Sequence, residues 1–101
     1  DDIRRLMWTL AHAHGTLLSL IHLAFAATVG LLPRWNATTR AYASRCLLAA
    51  GLMLPLGFFL GGLFTHAGDP GLGVLLVPPG AILLMVGLIL TARGVGTLRI
   101  C

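Results

Sequence analysis

Residues 72–92 read LGVLLVPPGAILLMVGLILTA, with no charged side chain in the whole stretch. As a helix rising 1.5 Å per residue it would cover about 31 Å, the thickness of a bilayer's hydrocarbon core. Two further apolar runs precede it, Leu6 to Leu32 and roughly Ala41 to Thr65. Each exceeds the ~20 residues a spanning helix needs. In hydrocarbon only helices or closed barrels satisfy their own backbone groups, and barrel strands need only about 10 residues. Runs this long and continuous therefore predict an all-α integral membrane protein. The expected fold is three transmembrane helices in a small up-down bundle, over about 6–32, 39–66 and 72–93, with 1–101 as a single transmembrane domain.

Composition agrees. The 101 residues are 57% hydrophobic and 10% charged, against roughly 25% charged in soluble domains. A soluble chain of this size buries only about two-thirds of its surface and has nowhere to hide so much apolar material. The formal charge is +4, and all seven basic residues are Arg. They gather at the ends of the apolar runs instead of forming a basic face with polar readers, which excludes nucleic acid as an expected partner. The lipid bilayer is the first partner implied.

The breaks carry turn chemistry. Pro33-Arg34-Trp35-Asn36 ends the first run, and Asn36 or Thr38 suits the N-cap of the second helix. Gly68-Asp69-Pro70-Gly71 marks a tight turn before the third. Arg34, Arg40 and Arg45 flank the first connection, and Arg93 and Arg99 follow the third run. The positive-inside rule then puts segment 33–45 and the C-terminus on the cytoplasmic side, with a bacterial cytoplasmic membrane the expected location. Trp8, Trp35 and Tyr42 fall near run ends, where interfacial aromatics belong. The sequence opens on Asp1, and an upstream helix completing a four-helix unit is one expectation.

Helices in lipid associate through small residues that let backbones approach. Gly73, Gly80, Gly87 and Gly94 recur every seven residues, returning almost to one face of a helix and favouring a left-handed crossing. Gly57 and Gly61 form a GxxxG pair with Ala50 on the same face, while Gly51, Pro55 and Gly62 fall on another. A helix with two smooth faces suits a place between two neighbours. Pro55 and Pro78-Pro79 are expected to kink their helices, and the pair to set residues 72–77 apart as a separate lead-in.

The first run is the polar one. Thr9, His12, Gly15, Thr16, Ser19 and His22 share one face at helical spacing. In lipid such a face is expected to meet protein or water. His14 falls on the other side, about 200° from His12. His66 and Asp69 return to the same membrane surface as His12 and His14 through the antiparallel second helix, and His22 lies about 15 Å deeper than His12.

Three readings of these residues stand open. The first takes them as interhelical hydrogen-bonding groups. His12, His14 and His66, with Asp69, are alternatively a ligand set for haem or a transition metal, since imidazole suits both. The Thr/Ser/His face is otherwise a path for protons or a small solute. The segment Ala11-His12-Ala13-His14-Gly15 resembles the His-x-His helices of haem-bearing membrane proteins over those residues alone.

Cys46 and Cys101 form no C-x-x-C motif. Asp69 is the only acid beyond the N-terminus, so paired carboxylates and a Ser/His/Asp set are excluded. No stand-alone enzymatic activity is expected. The function expected first is an accessory or scaffold subunit of a larger membrane complex, or a homo-oligomer. It rests on minimal loops, the lack of a soluble segment, and more smooth faces than three helices use among themselves.

Overall fold

Asp2–Leu31 forms an unbroken helix, α1, of 30 residues, about 45 Å long at 1.5 Å per residue. It begins earlier than its apolar run because Asp2 in the first turn complements the positive end of the helix dipole. The computed structural model describes residues 2–32, 35–65 and 71–96. Beyond α1, Leu32 N–H donates to Val29 C=O at 3.2 Å and Trp35 N–H to Leu32 C=O at 3.1 Å. Asn36 then caps α2 (Ala37–Leu63), its Oδ1 accepting from the Thr38 N–H at 2.8 Å.

The α2 helix stays continuous through Pro55 and ends at Leu63, with Phe64 leaving helical geometry at φ −117° and ψ 77°. The third run opens as a 3-10 helix over Leu72–Leu76 and continues as α3, Val77–Gly96. Pro78 and Pro79 thus lie in the first turn of α3. The first N–H groups of a helix have no partner inside it, so two residues without N–H cost nothing there. The proline pair marks a change of helix type, and the combined segment Leu72–Gly96 has the length of a span.

All three helices are long and apolar enough to cross a membrane. The protein is an all-α, three-helix integral membrane protein. The middle helix, α2, packs along both others. Ala43, Leu47, Ala50, Leu54, Gly57 and Gly61 are buried on it, at alternating steps of four and three. Leu18 of α1 closes on Ala50 and Leu54, with Val77, Leu83 and Leu84 of α3 against the same cluster. A second cluster of Leu32, Trp35 and Ala43 takes in Phe25, Val29 and Leu90.

The glycines of the third segment lie along α2. A Cβ added to Gly73 would strike Leu60, and one on Gly80 would sit 3.1 Å from both Met53 and Leu54. On Gly87 it would lie 2.8 Å from Leu47, with Cys46 at 3.3 Å, and on Gly94 2.6 Å from the Trp35 ring. Seven-residue steps up this segment meet seven-residue steps down α2, through Leu60, Met53 and Cys46. The interface is built on backbone approach, the route to helix association that lipid leaves open.

On α2, Gly57 and Gly61 face the third segment, while Gly51 and Gly62 face α1. Gly61 also lies 3.5 Å, by its built Cβ, from Met7 Sδ of α1. The smooth faces are therefore consumed inside the chain. The expectation of surplus smooth faces is not met, because α2 sits between its neighbours and spends one face on each.

Candidate functional site

The face of α1 that meets α2 is not the whole polar face. Trp8, Gly15 and His22, spaced by sevens, lie against Gly62, Pro55 and Gly51. This repeat crosses the polar set, taking Gly15 and His22 into the interface. Thr9, His12, Thr16 and Ser19 are left exposed beside it. Thr9 and Ser19 donate to the carbonyls of Arg5 and Gly15 one turn back, at 2.8 and 2.7 Å. Such back-bonding hides hydroxyl protons from lipid.

His22 is held by two contacts. Its Nδ1 lies 2.8 Å from the Leu18 carbonyl. A carbonyl only accepts, so Nδ1 carries the proton and Nε2 of the neutral ring is an acceptor. The ring edge rests on Gly51, where a Cβ would come within 2.8 Å of Cε1 and 3.4 Å of Nε2. Nε2 is buried and has no hydrogen-bond partner. His14 makes the same bond to Leu10 C=O at 2.8 Å, but its ring packs on Phe58, centroids 4.6 Å apart.

Two grooves run along the α1–α2 seam and share Gly51 and Leu52. One, about 400 Å³, has Gly15, Ser19, His22 and Leu48 among its lining. The other, about 590 Å³, lies nearer the start of α1, between Trp8, His12, Pro55 and Phe59. The space beside Gly51 is taken by the His22 ring edge, and Gly15 lies against Pro55. Pro55 adds a chemical feature, since without an N–H it cannot bond the Gly51 carbonyl one turn back.

At the end of this seam near the start of α1, α1 ties down the last turns of α2. The Trp8 indole N–H donates to Phe59 C=O at 3.2 Å, and Arg4 Nε to Gly62 C=O at 3.0 Å. Trp8 also stacks on Phe59 with centroids 5.7 Å apart, and the Arg4 guanidinium lies 5.9 Å from the Trp8 ring. Gly62 C=O is among the last four carbonyls of α2, which lack partners within the helix, and Arg4 supplies one from the neighbour.

The ligand set expected from His12, His14, His66 and Asp69 falls in part outside the described residues, which include neither His66 nor Asp69. His12 lines the groove while His14 packs on Phe58, so this pair does not converge. Among the described residues no three His, Cys, Asp or Glu side chains come together to hold a metal ion. Of the exposed Thr/Ser/His edge, Ser19 lines one groove and His12 the other.

Sequence periodicity alone grouped Gly15 and His22 with the exposed residues. The seven-residue recurrence of Trp8, Gly15, His22 and Val29, three positions ahead of Ala11, Leu18, Phe25 and Leu32, was the signal that separates them. Pro55 and Gly51 belong to the site through space alone.

The fold and its seam define a small multi-pass membrane protein with a polar edge on one outer helix. No protein-family model matches the chain, no curated protein matches it, and no solved structure matches it.

Proposed function

We propose that this protein is an accessory or scaffold subunit of a larger membrane assembly, joining partner helices or further copies of itself through the exposed edge of α1. The observation that carries the reading is that Thr9, His12, Thr16 and Ser19 stand exposed on a helix long and apolar enough to span the bilayer. Polar side chains at that depth face protein or water, not acyl chains. The three helices use their smooth faces on one another, so the uncovered polar edge is the feature left for a partner.

The proposed orientation follows the Arg distribution, with segment 33–45 and the C-terminus cytoplasmic in a bacterial inner membrane. The test is cysteine cross-linking in native membranes, after replacing Cys46 and Cys101 by Ser. A cysteine at Thr16 or Ser19 should give a specific cross-linked species. A cysteine at Ile82 or Met85, exposed on α3, should give none. A monomer with intact helicity in mild detergent, and no cross-link from α1, would count against the proposal.

A further inference from the structure

We propose that the α1–α2 groove lined by Ser19, His22 and Gly51 is a binding site for a membrane-soluble hydroxyl compound, an apolar molecule whose one essential polar group is a hydrogen-bond donor. This goes beyond the subunit reading and does not depend on it.

The chemistry follows from counting donors and acceptors at the groove floor. His22 Nδ1 is committed to Leu18 C=O, which leaves Nε2 as a lone-pair acceptor. That nitrogen is the one buried side-chain polar atom among the described residues without a partner. Ser19 spends its proton on Gly15 C=O, and its oxygen keeps acceptor capacity alone. The Gly51 carbonyl points along α2 toward Pro55, which has no N–H to give it. Nε2, the Ser19 oxygen and the Gly51 carbonyl are all acceptors, and Gly51, Ser19 and His22 all line the same groove. No donor is left over for a ligand carbonyl, ether or phosphate.

An unpaired buried acceptor is rare in a folded protein and asks for a donor. The walls are apolar, with Leu23, Leu48 and Leu52 mostly exposed, so the rest of the ligand is apolar. The ring edge that carries Nε2 lies against Gly51, and both residues line the groove, so a ligand reaches that nitrogen where α1 and α2 part slightly at this point. A phenol or alcohol with a hydrocarbon tail fits these terms. The corresponding quinone or ether, an acceptor only, does not.

The test uses the full chain in phospholipid nanodiscs with nitrogen-15-labelled histidine. It is titrated with para-nonylphenol and, separately, with its methyl ether, which differs only in lacking the donor. The phenol should shift the His22 Nε2 resonance upfield and saturate, binding about tenfold more tightly than the ether, the effect of satisfying one buried acceptor. The His12 resonance, on the exposed edge, should not follow. His22→Phe should bring the two ligands to equal affinity. Should that variant fail to fold, the wild-type titration decides alone. Equal responses to phenol and ether, a His12 shift that tracks His22, or no saturation would overturn the proposal. So would an Nε2 already hydrogen-bonded before any phenol is added, whether to water or to a neighbouring subunit.

Discussion

His22 and Gly51 are complementary in shape: the imidazole edge occupies the space a Cβ at position 51 would need, 2.8 Å from Cε1. The ring cannot easily retreat, because Nδ1 is tied to the Leu18 carbonyl. Gly51→Ala should therefore cost about 1–3 kcal/mol, the usual range for overpacking. Gly30→Ala is the control, since a Cβ there meets nothing within 4 Å, and it should change stability by less than about 0.5 kcal/mol. Reversible unfolding in mixed micelles, followed by circular dichroism, measures both. Equal effects would remove the steric account.

The seam between α2 and α3 should respond to size in the same way. Gly87→Ala places a methyl against Leu47, and Gly94→Ala places one against the Trp35 ring. Each should destabilise by about 1–3 kcal/mol. The two positions are roughly 10 Å apart along the helix, so the double variant should be close to additive. Loss at Gly94 should also alter Trp35 fluorescence, while loss at Gly87 should not.

Trp8→Phe keeps an aromatic ring over Phe59 and removes the donor to its carbonyl. The expected loss is about 0.6 kcal/mol and at most about 1.7, the measured span for hydrogen bonds between membrane helices. Hydrogen exchange should rise in the last turn of α2 and stay unchanged around Ala43. An effect spread over the whole helix would mean that Trp8 acts through packing instead.

Asn36→Ala removes the side-chain acceptor for the Thr38 N–H. An N-cap loss of this kind costs about 0.5–2 kcal/mol. Exchange at Thr38 and Thr39 should quicken first. Asn36→Asp, which retains the acceptor, should restore protection there.

Much of the architecture is written locally. The apolar runs give three spans because run length is compared with a bilayer thickness that does not depend on the fold. The glycine heptad announces an interface because periodicity along a helix is a property of the helix alone. Proline chemistry is equally local, although its outcome at Pro78-Pro79 depended on whether the pair fell inside a helix or in its first turn.

What the sequence by itself determined is therefore the number, length and smoothness of the helices, and the presence of a polar face on α1. Only the tertiary structure decided which part of that face is spent on α2. Gly15 and His22 turn inward because Pro55 and Gly51, some 30 to 40 positions away in the chain, offer a surface they fit. Thr9, His12, Thr16 and Ser19 stay outside because the α1–α2 crossing passes beside them. A helix carries its periodicity in its own residues, but its docking angle is set jointly with a neighbour, and that joint geometry is what leaves the acceptor of His22 buried and unpaired against Gly51.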